Sequence, residues 1–452
     1  MSVFIFCVII HLQFGVKYMM KVGFVSLGCS KNLVVTEEII GLFKKRNYEI
    51  VGDPAEAEIL LINTCGFIES AKEEGIQTIL EMADYKEDKC KYLIVTGCLV
   101  ERYEEELRQE MPEVDLFVSI SDYDKLWEKI DNLVNNITEK DSLSYKHRVL
   151  TTGDTMAYLK IAEGCSNYCT YCAIPYIQGK YISRKYEDIL DEANMLAQKG
   201  IQELVVIAQD TTKYGLDLYN EARLPELLND LCKIDGIKWI RFLYSYPESI
   251  TDELIEVVKN NEKICKYFDL PIQHISDDVL KRMNRKSDGN TIRNLIAKLR
   301  KEIPEVILRT TLIVGFPGET EENFKELCQF VEESKFDRLG AFAYSAEDGT
   351  PAAKFPNQVE EDIKCTRRDI IMEIQQNVSF NNLKSRIGNT YECIVENITE
   401  EGDYYIARSY MDVPSEDGVI YVKYNPEYMI NEFVNVKIVD SDEYDLYGEF
   451  VE

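Results

Sequence analysis

The stretch GCSNYCTYC, residues 164–172, sets Cys165, Cys169 and Cys172 in the spacing C-x3-C-x2-C. Thiolates this close on one loop can wrap a single metal cluster. Three is one short of a closed site. Structural zinc takes four protein ligands, and catalytic zinc rarely takes three cysteines. A four-iron cubane held by three cysteines leaves one iron open to a small molecule. The spacing therefore predicts an iron–sulfur cluster whose fourth ligand is a substrate or cofactor.

A second set of cysteines is dispersed in sequence. The apolar runs KVGFVSLGC, AEILLINTC and KYLIVTGC end at Cys29, Cys65 and Cys98. Each is followed by a helix-like stretch: Val34–Lys45, Ser70–Asp84 and Arg102–Gln109. Strand then helix, repeated, predicts a parallel sheet with helical crossovers, and near-continuous apolar strands fit a sheet covered on both faces. The carboxyl ends of parallel strands share one edge, where ligands bind. One cysteine at such an end carries no message, because cysteine is commonly buried. Three at three such ends predict a second metal site, iron–sulfur or zinc. Cys7, Cys90, Cys232, Cys265, Cys328, Cys365 and Cys393 read as ordinary core or surface residues.

The elements around the first loop continue the βα rhythm. YLKIAEG (158–164) reads as the strand that delivers it. ELVVIAQD (203–210), KWIRFLYSYP (238–247), KYFDLPIQH (266–274), VILRTTLIVGFPGET (306–320) and DRLGAFAYS (337–345) read as further strands. Helical patterns lie between them, as at Asp188–Gln198 and Thr291–Lys301. This predicts a full or partial (β/α) barrel, with chemistry at the carboxyl ends of the strands. Gln209, Asp210, Tyr246, Gln273, His274 and Glu319 fall at those ends. Gln209 and Asp210 read as ribose or substrate contacts rather than helix caps. The turn GFPGE (315–319) offers Gly315 and Gly318 for close backbone approach to a ligand. His274 is open to two readings, a proton carrier or a hydrogen-bonded structural histidine.

From about Ser385 the pattern changes. TYECIVENI, DYYIARSYM, VIYVKY and EFVNVKIVD alternate with turns such as Glu416-Asp417-Gly418, which predicts a small antiparallel, OB-like barrel. Residues 384–452 hold five Lys and Arg against sixteen Asp and Glu, a net of −11. An OB-like barrel used on RNA presents basic and aromatic residues. This one has tyrosines but an acidic balance, which suits a basic protein surface.

The 452-residue chain has room for two to four domains, and its 45% hydrophobic content is ordinary for a globular protein. A net charge of −29 argues against a surface built to grip nucleic acid phosphates. The apolar run Val3–Ile10 is too short to span a membrane, and neither a positive n-region nor an A-x-A-like site flanks it. MKVGFVSLGC at Met20 reads as a fresh start. Residues 1–19 are therefore expected to be an extension absent from the native protein or a disordered tail, with a weak signal peptide as the alternative. No other segment reads as transmembrane, so a cytoplasmic location is expected.

The C-x3-C-x2-C loop after a strand resembles the signature of the radical S-adenosylmethionine (SAM) superfamily. The whole chain from Met20 resembles the methylthiotransferases: an N-terminal three-cysteine domain (20–140), a radical SAM core (151–383) and a C-terminal TRAM module (384–452). SLGCSKN (26–32), YLKIAEGCSNYCTYCAIP (158–175), LPIQH (270–274) and VPSEDGVIYV (413–422) look most like the branch that modifies an aspartate of ribosomal protein S-twelve. The chain departs from that pattern at Ser30, where proline is common, and in residues 1–19, which have no counterpart.

The resemblance implies two 4Fe–4S clusters with SAM as cofactor. Cys165, Cys169 and Cys172 would hold the SAM-cleaving cluster, whose fourth ligand is the amino and carboxylate group of SAM. The 5′-deoxyadenosyl radical formed there would take hydrogen from the β-carbon of the aspartate. Cys29, Cys65 and Cys98 would hold an auxiliary cluster carrying the sulfur, and a second SAM would supply the methyl group. Tyr171 matches the aromatic expected near the adenine, and could equally shield the cluster from water. Gln209, Asp210, Gly315, Gly318 and Glu319 complete the expected cofactor contacts. The partners implied are S-twelve and an electron donor such as flavodoxin or ferredoxin, with no membrane. A tRNA adenosine methylthiotransferase shares every cluster ligand, and the acidic TRAM module and His274 tilt against it. A non-catalytic iron–sulfur electron carrier is the rival from another class. A structural zinc protein falls behind both, since neither triad supplies four ligands.

Overall fold

The computed structural model describes residues 20–135 and 140–451. The extension at 1–19 lies outside the described residues. No helix among them is long and apolar enough to cross a membrane.

The N-terminal domain runs β1 (Lys21–Ser26), α1 (Ser30–Lys45), β2 (Glu49–Ile50), β3 (Ile59–Thr64), α2 (Glu69–Ala83), β4 (Tyr92–Gly97), α3 (Cys98–Glu110), β5 (Leu116–Val118) and α4 (Leu126–Asn135). The sheet is parallel, in the order β2-β1-β3-β4-β5. Alternate side chains serve its two faces. Ile59, Leu61 and Ile94 pack under Phe43 and Trp127 from α1 and α4. Leu60, Ile62 and Val95 pack under Ile79 and Leu99 from α2 and α3. Two-sided burial is why these strands read as unbroken apolar runs. α1 and α3 start about four residues earlier than the pattern predicts, directly at the cysteines.

The core carries β6 (Met156–Lys160), β7 (Ala162–Glu163), α5 (Ile174–Ile177), β8 (Ile182–Ser183), α6 (Tyr186–Gln198), β9 (Glu203–Ile207), α7 (Leu216–Tyr219), α8 (Leu224–Leu231), β10 (Trp239–Phe242), α9 (Asp252–Asn260), β11 (Tyr267–Asp269), α10 (Asp277–Arg282), α11 (Gly289–Glu302), β12 (Ile307–Val314), α12 (Glu321–Ser334) and β13 (Arg338–Ala343). β6, β9 and β10 form one parallel sheet, and β11, β12 and β13 another. A parallel bridge between Ile240 and Ile264 joins them into a six-stranded partial barrel. Outward-facing Leu159, Leu204, Phe242 and Leu308 pack against the helices. A long helix, α13 (Glu361–Lys384), leads to the C-terminal module.

That module is a closed barrel of β14 (Thr390–Ile398), β15 (Tyr404–Ser409), β16 (Ile420–Lys423), β17 (Phe433–Ser441) and β18 (Leu446–Val451). The sequence predicts antiparallel strands throughout, and four of the five pairings are so. β16 and β18 pair in parallel, which closes the barrel. The module seats against the core through the first residues of the barrel strands. Met156, Trp239, Tyr267 and Ile307 form one apolar cluster with Met411 and Val413. Glu203 binds Arg241 at 3.2 Å and Arg408 at 2.5 Å, and Tyr267 donates to Asp417 at 2.6 Å.

Candidate active site

β1, β3 and β4 are adjacent in the sheet, so Cys29, Cys65 and Cys98 leave neighbouring strand ends. Two glycines make the turns tight enough. Gly28 has φ +88°, and a Cβ there would stand 2.7 Å from the Cys65 Cβ. Gly97 has φ +104°, and its Cβ would stand 2.3 Å from the Thr64 carbonyl oxygen. Only glycine takes both the backbone and the space. Cys29 is exposed, Cys65 half-buried and Cys98 buried. Burial, then the neighbouring Cys29 and Cys65, push the Cys98 thiol far up. Burial likewise raises Cys65, with Cys29 beside it.

The second triad sits on the loop after β7. Tyr168 turns that loop at φ +50°, and Asn284 donates to its carbonyl at 2.9 Å. Backbone N–H groups of Asn167 and Ile174 point at the Cys165 and Cys172 sulfurs. Burial and Cys169 raise the Cys172 thiol. Tyr246 lies 3.7 Å from the Cys169 sulfur, and the Arg285 guanidinium lies 4.2 Å from the Tyr246 ring centroid. Arg285 donates to the Pro271 carbonyl at 2.9 Å, while its Nε and Nη1 are buried without a partner.

Burial raises the Cys65, Cys98, Cys165 and Cys172 thiols, so these four resist ionising until a cation compensates them. Among the described residues, no three His, Cys, Asp or Glu side chains are gathered closely enough for a single metal ion. A cubane is a larger body and spreads its thiolates wider. The donor set of each triad, three cysteines with N–H donors or a free guanidinium nearby, fits an iron–sulfur cluster.

The two domains meet between the triads. Gln209 donates to the Gln178 side-chain oxygen at 2.8 Å, and Gln178 donates to the Cys98 sulfur at 3.8 Å. Arg102 binds the Gly66 carbonyl at 2.7 Å and Glu347 of the core at 3.1 Å. Arg148, buried in the connecting segment, holds Glu37 of α1 at 2.6 Å and Glu192 of α6 at 2.8 Å. A cavity of about 480 Å³ opens along this seam, lined by Asn32, Tyr123, Gln178 and Gln209 among others.

Three matches along the chain follow the same order as the domains. Residues 21–119 match the uncharacterized protein family UPF0004, 159–331 the radical SAM superfamily, and 387–451 the TRAM domain. The ribosomal protein uS12 methylthiotransferase RimO of Alkaliphilus oremlandii is 64% identical over 432 residues, covering 95% of this chain and 99% of its own. That of Clostridioides difficile is 52% identical over 440 residues, covering 95% and 99%. The chain belongs to the RimO family of radical SAM methylthiotransferases.

Among solved structures, the radical SAM methyltransferase TsrM from Kitasatospora setae, with cobalamin and a 4Fe–4S cluster bound, superposes with a TM-score of 0.54. It is 12% identical and covers 74% of each chain. That likeness shows the fold alone.

Within this RimO-family chain, the other strand-end residues divide by what they touch. Gln209 faces the seam and reaches toward Cys98 through Gln178. Asp210 is fully buried, accepts from Asn167 of the cysteine loop at 2.9 Å, and is also bound by Thr212. It acts on the loop rather than offering a free carboxylate. Tyr171 packs among Phe316, Tyr344 and Met283. The GFPGE turn closes on itself, because Glu319 accepts from the Gly315 N–H at 2.8 Å and binds Arg367 at 2.8 Å. A Cβ on Gly315 would meet Lys364 at 2.3 Å, and one on Gly318 would meet Arg282 at 3.3 Å. Both glycines thus face the chain's own side chains.

His274 resolves to its structural reading. It is fully buried, and its Nδ1 accepts from the Ser276 N–H at 3.0 Å. Burial, then Arg282 and Arg367, lower its pKa to about 3, so it stays neutral. Sequence reasoning passes over Gln178, Arg285 and Tyr244. Tyr244, at φ +60° just past β10, is the one with a readable signal, as a polar residue at a strand's carboxyl end.

Proposed function

We propose that this chain transfers a methylthio group to the β-carbon of an aspartate of ribosomal protein uS12, the protein its RimO relatives are named as methylthiotransferases of. One observation carries the reading. Two three-cysteine sets sit at strand ends on either side of a domain seam, and a Gln209–Gln178–Cys98 chain spans it.

We assign Cys165, Cys169 and Cys172 to the SAM-binding 4Fe–4S cluster and Cys29, Cys65 and Cys98 to the auxiliary one, with 20–140, 151–383 and 384–452 as the three units. When bound, these groups supply a SAM-derived radical that breaks an unactivated C–H bond, and a sulfur to replace the hydrogen. The protein's part is position and exclusion. Asp210 steadies the cysteine loop through Asn167, and Glu319 fixes the Gly315–Gly318 turn. Tyr171 and Tyr246 wall the first triad, Gln209 spans the seam, and Arg285 offsets thiolate charge with its free N–H groups. The acidic TRAM module favours a basic protein partner over tRNA. The reductant is a small carrier of the flavodoxin or ferredoxin kind, and the setting is cytoplasmic.

The test is anaerobic incubation of reconstituted protein with SAM and reductant, offering a uS12 target-loop peptide and bulk tRNA in parallel. A methylthio mass gain on the peptide's aspartate is expected. A gain on tRNA adenosine instead moves the chain to the tRNA branch.

A further inference from the structure

Beside Cys29, the start of α1 carries positive character with no carboxylate paired to it among the described residues. Helix N-termini carry partial positive charge and unpaired N–H groups. α1 has no side-chain cap and no acidic residue in its first turn. The Ser30 hydroxyl is buried without a hydrogen-bond partner. Lys31, next in sequence, is only 7% exposed. Its ammonium lies 3.4 Å from the centroid of the Tyr244 ring, on the barrel side of the seam. Tyr244 also takes a hydrogen bond from it, and Glu416, the carboxylate that faces it, is spent on Arg309 at 2.5 Å. A buried ammonium without a dedicated carboxylate is costly unless a ligand supplies one. The position, two residues from Cys29 and against a barrel strand end, is where a substrate side chain lying between the triads would arrive.

We propose that Lys31, Ser30 and the uncapped start of α1 form a carboxylate-binding site that receives the acidic side chain of the substrate. The inference rests on the protein-substrate reading above and adds how an aspartate is told from a neutral side chain. A carboxylate there gains charge-assisted hydrogen bonds from the ammonium and from the helix N–H groups. An asparagine gains neither in full.

The experiment uses reconstituted full-length holoenzyme and fluorescent uS12 target-loop peptides carrying Asp or Asn at the modified position. Anaerobic anisotropy gives each dissociation constant, and iron content is read alongside. The wild type should bind the Asp peptide at least about tenfold more tightly than the Asn peptide. Lys31→Met should erase the preference by weakening the Asp peptide alone, with iron unchanged, and Lys31→Arg should keep most of it. Ser30→Ala, a milder change, should weaken the Asp peptide about three- to tenfold. An unchanged Asp/Asn ratio in Lys31→Met and Ser30→Ala overturns the proposal and leaves the function standing. Loss of iron with both peptides weakened equally overturns it too, and makes Lys31 a support of the cluster. If the wild type binds neither peptide, the function and this inference fall together.

Discussion

The Gln178 amide, carried just past α5 of the core, donates to the sulfur of Cys98 in the other domain at 3.8 Å. It is itself held by Gln209 at 2.8 Å. An N–H···S bond favours the thiolate and stabilises the more negative state of a bound cluster. Gln178→Leu should therefore shift the auxiliary potential downward and reduce methylthiolation about 10- to 100-fold, the usual cost of losing a partner to a metal ligand. Protein-film voltammetry and SAM-cleavage assays separate the effects. The potential should move while 5′-deoxyadenosine formation persists.

The two triads should fail differently. Cys169→Ala should abolish 5′-deoxyadenosine formation, because it removes a ligand from the loop beside Tyr246. Cys65→Ala should lower iron by about half and leave SAM cleavage in place. Iron analysis paired with chromatography of the cleavage product checks both. Unchanged iron in Cys65→Ala would strip the N-terminal triad of its role.

Arg148 answers two buried carboxylates from two domains. Removing it leaves Glu37 and Glu192 buried, with Glu192 still held by Arg184 at 2.6 Å and Glu37 bound only by neutral groups. Arg148→Met should cost about 3–5 kcal/mol of stability. Urea denaturation followed by tryptophan fluorescence reads the loss, since Trp127 and Trp239 lie on opposite sides of the seam.

His274 imposes a pH dependence on stability and none near neutrality on catalysis. Its folded pKa of about 3 lies below its ordinary value of 6.5. Above 6.5 both states are neutral. As pH falls below that, the unfolded chain takes a proton that the folded one refuses. Stability then drops by about 1.4 kcal/mol per pH unit until the folded pKa is reached. Replacing it by His274→Gln should flatten the fall in stability between about pH 6 and about pH 5 by that amount. The pH–rate profile of that variant near neutrality should keep its shape.

The cysteine-bearing strands were legible because each is an apolar run closed by a glycine or threonine and a cysteine, a pattern only a two-sided parallel sheet explains. Helix starts were less so. Lys31 and Asn32 fall before the helix-like stretch that the sequence marks from Val34, yet both are buried where the domains meet. α13 hid for a similar reason. Its inward stripe includes Lys364, Arg367, Gln375 and Ser379, so no apolar period marks it. Glu319, expected among the cofactor contacts, also binds Arg367, 48 residues on, a pairing the sequence does not show. Gln178 gave no signal, since its meaning depends on a cysteine 80 residues earlier.

The C-terminal module shares its apolar interior with the amino-terminal end of the barrel strands: Met411 and Val413 lie in one cluster with Met156, Trp239 and Tyr267. Two bodies that own a common core do not melt apart. Heating should give a single calorimetric transition for core and module, and cutting the chain after α13 should expose the barrel's aromatic floor and leave an aggregating fragment. The acidic module is thus a foundation of the catalytic domain as well as its outer face, and grafting on a different one would mean rebuilding the floor beneath the chemistry.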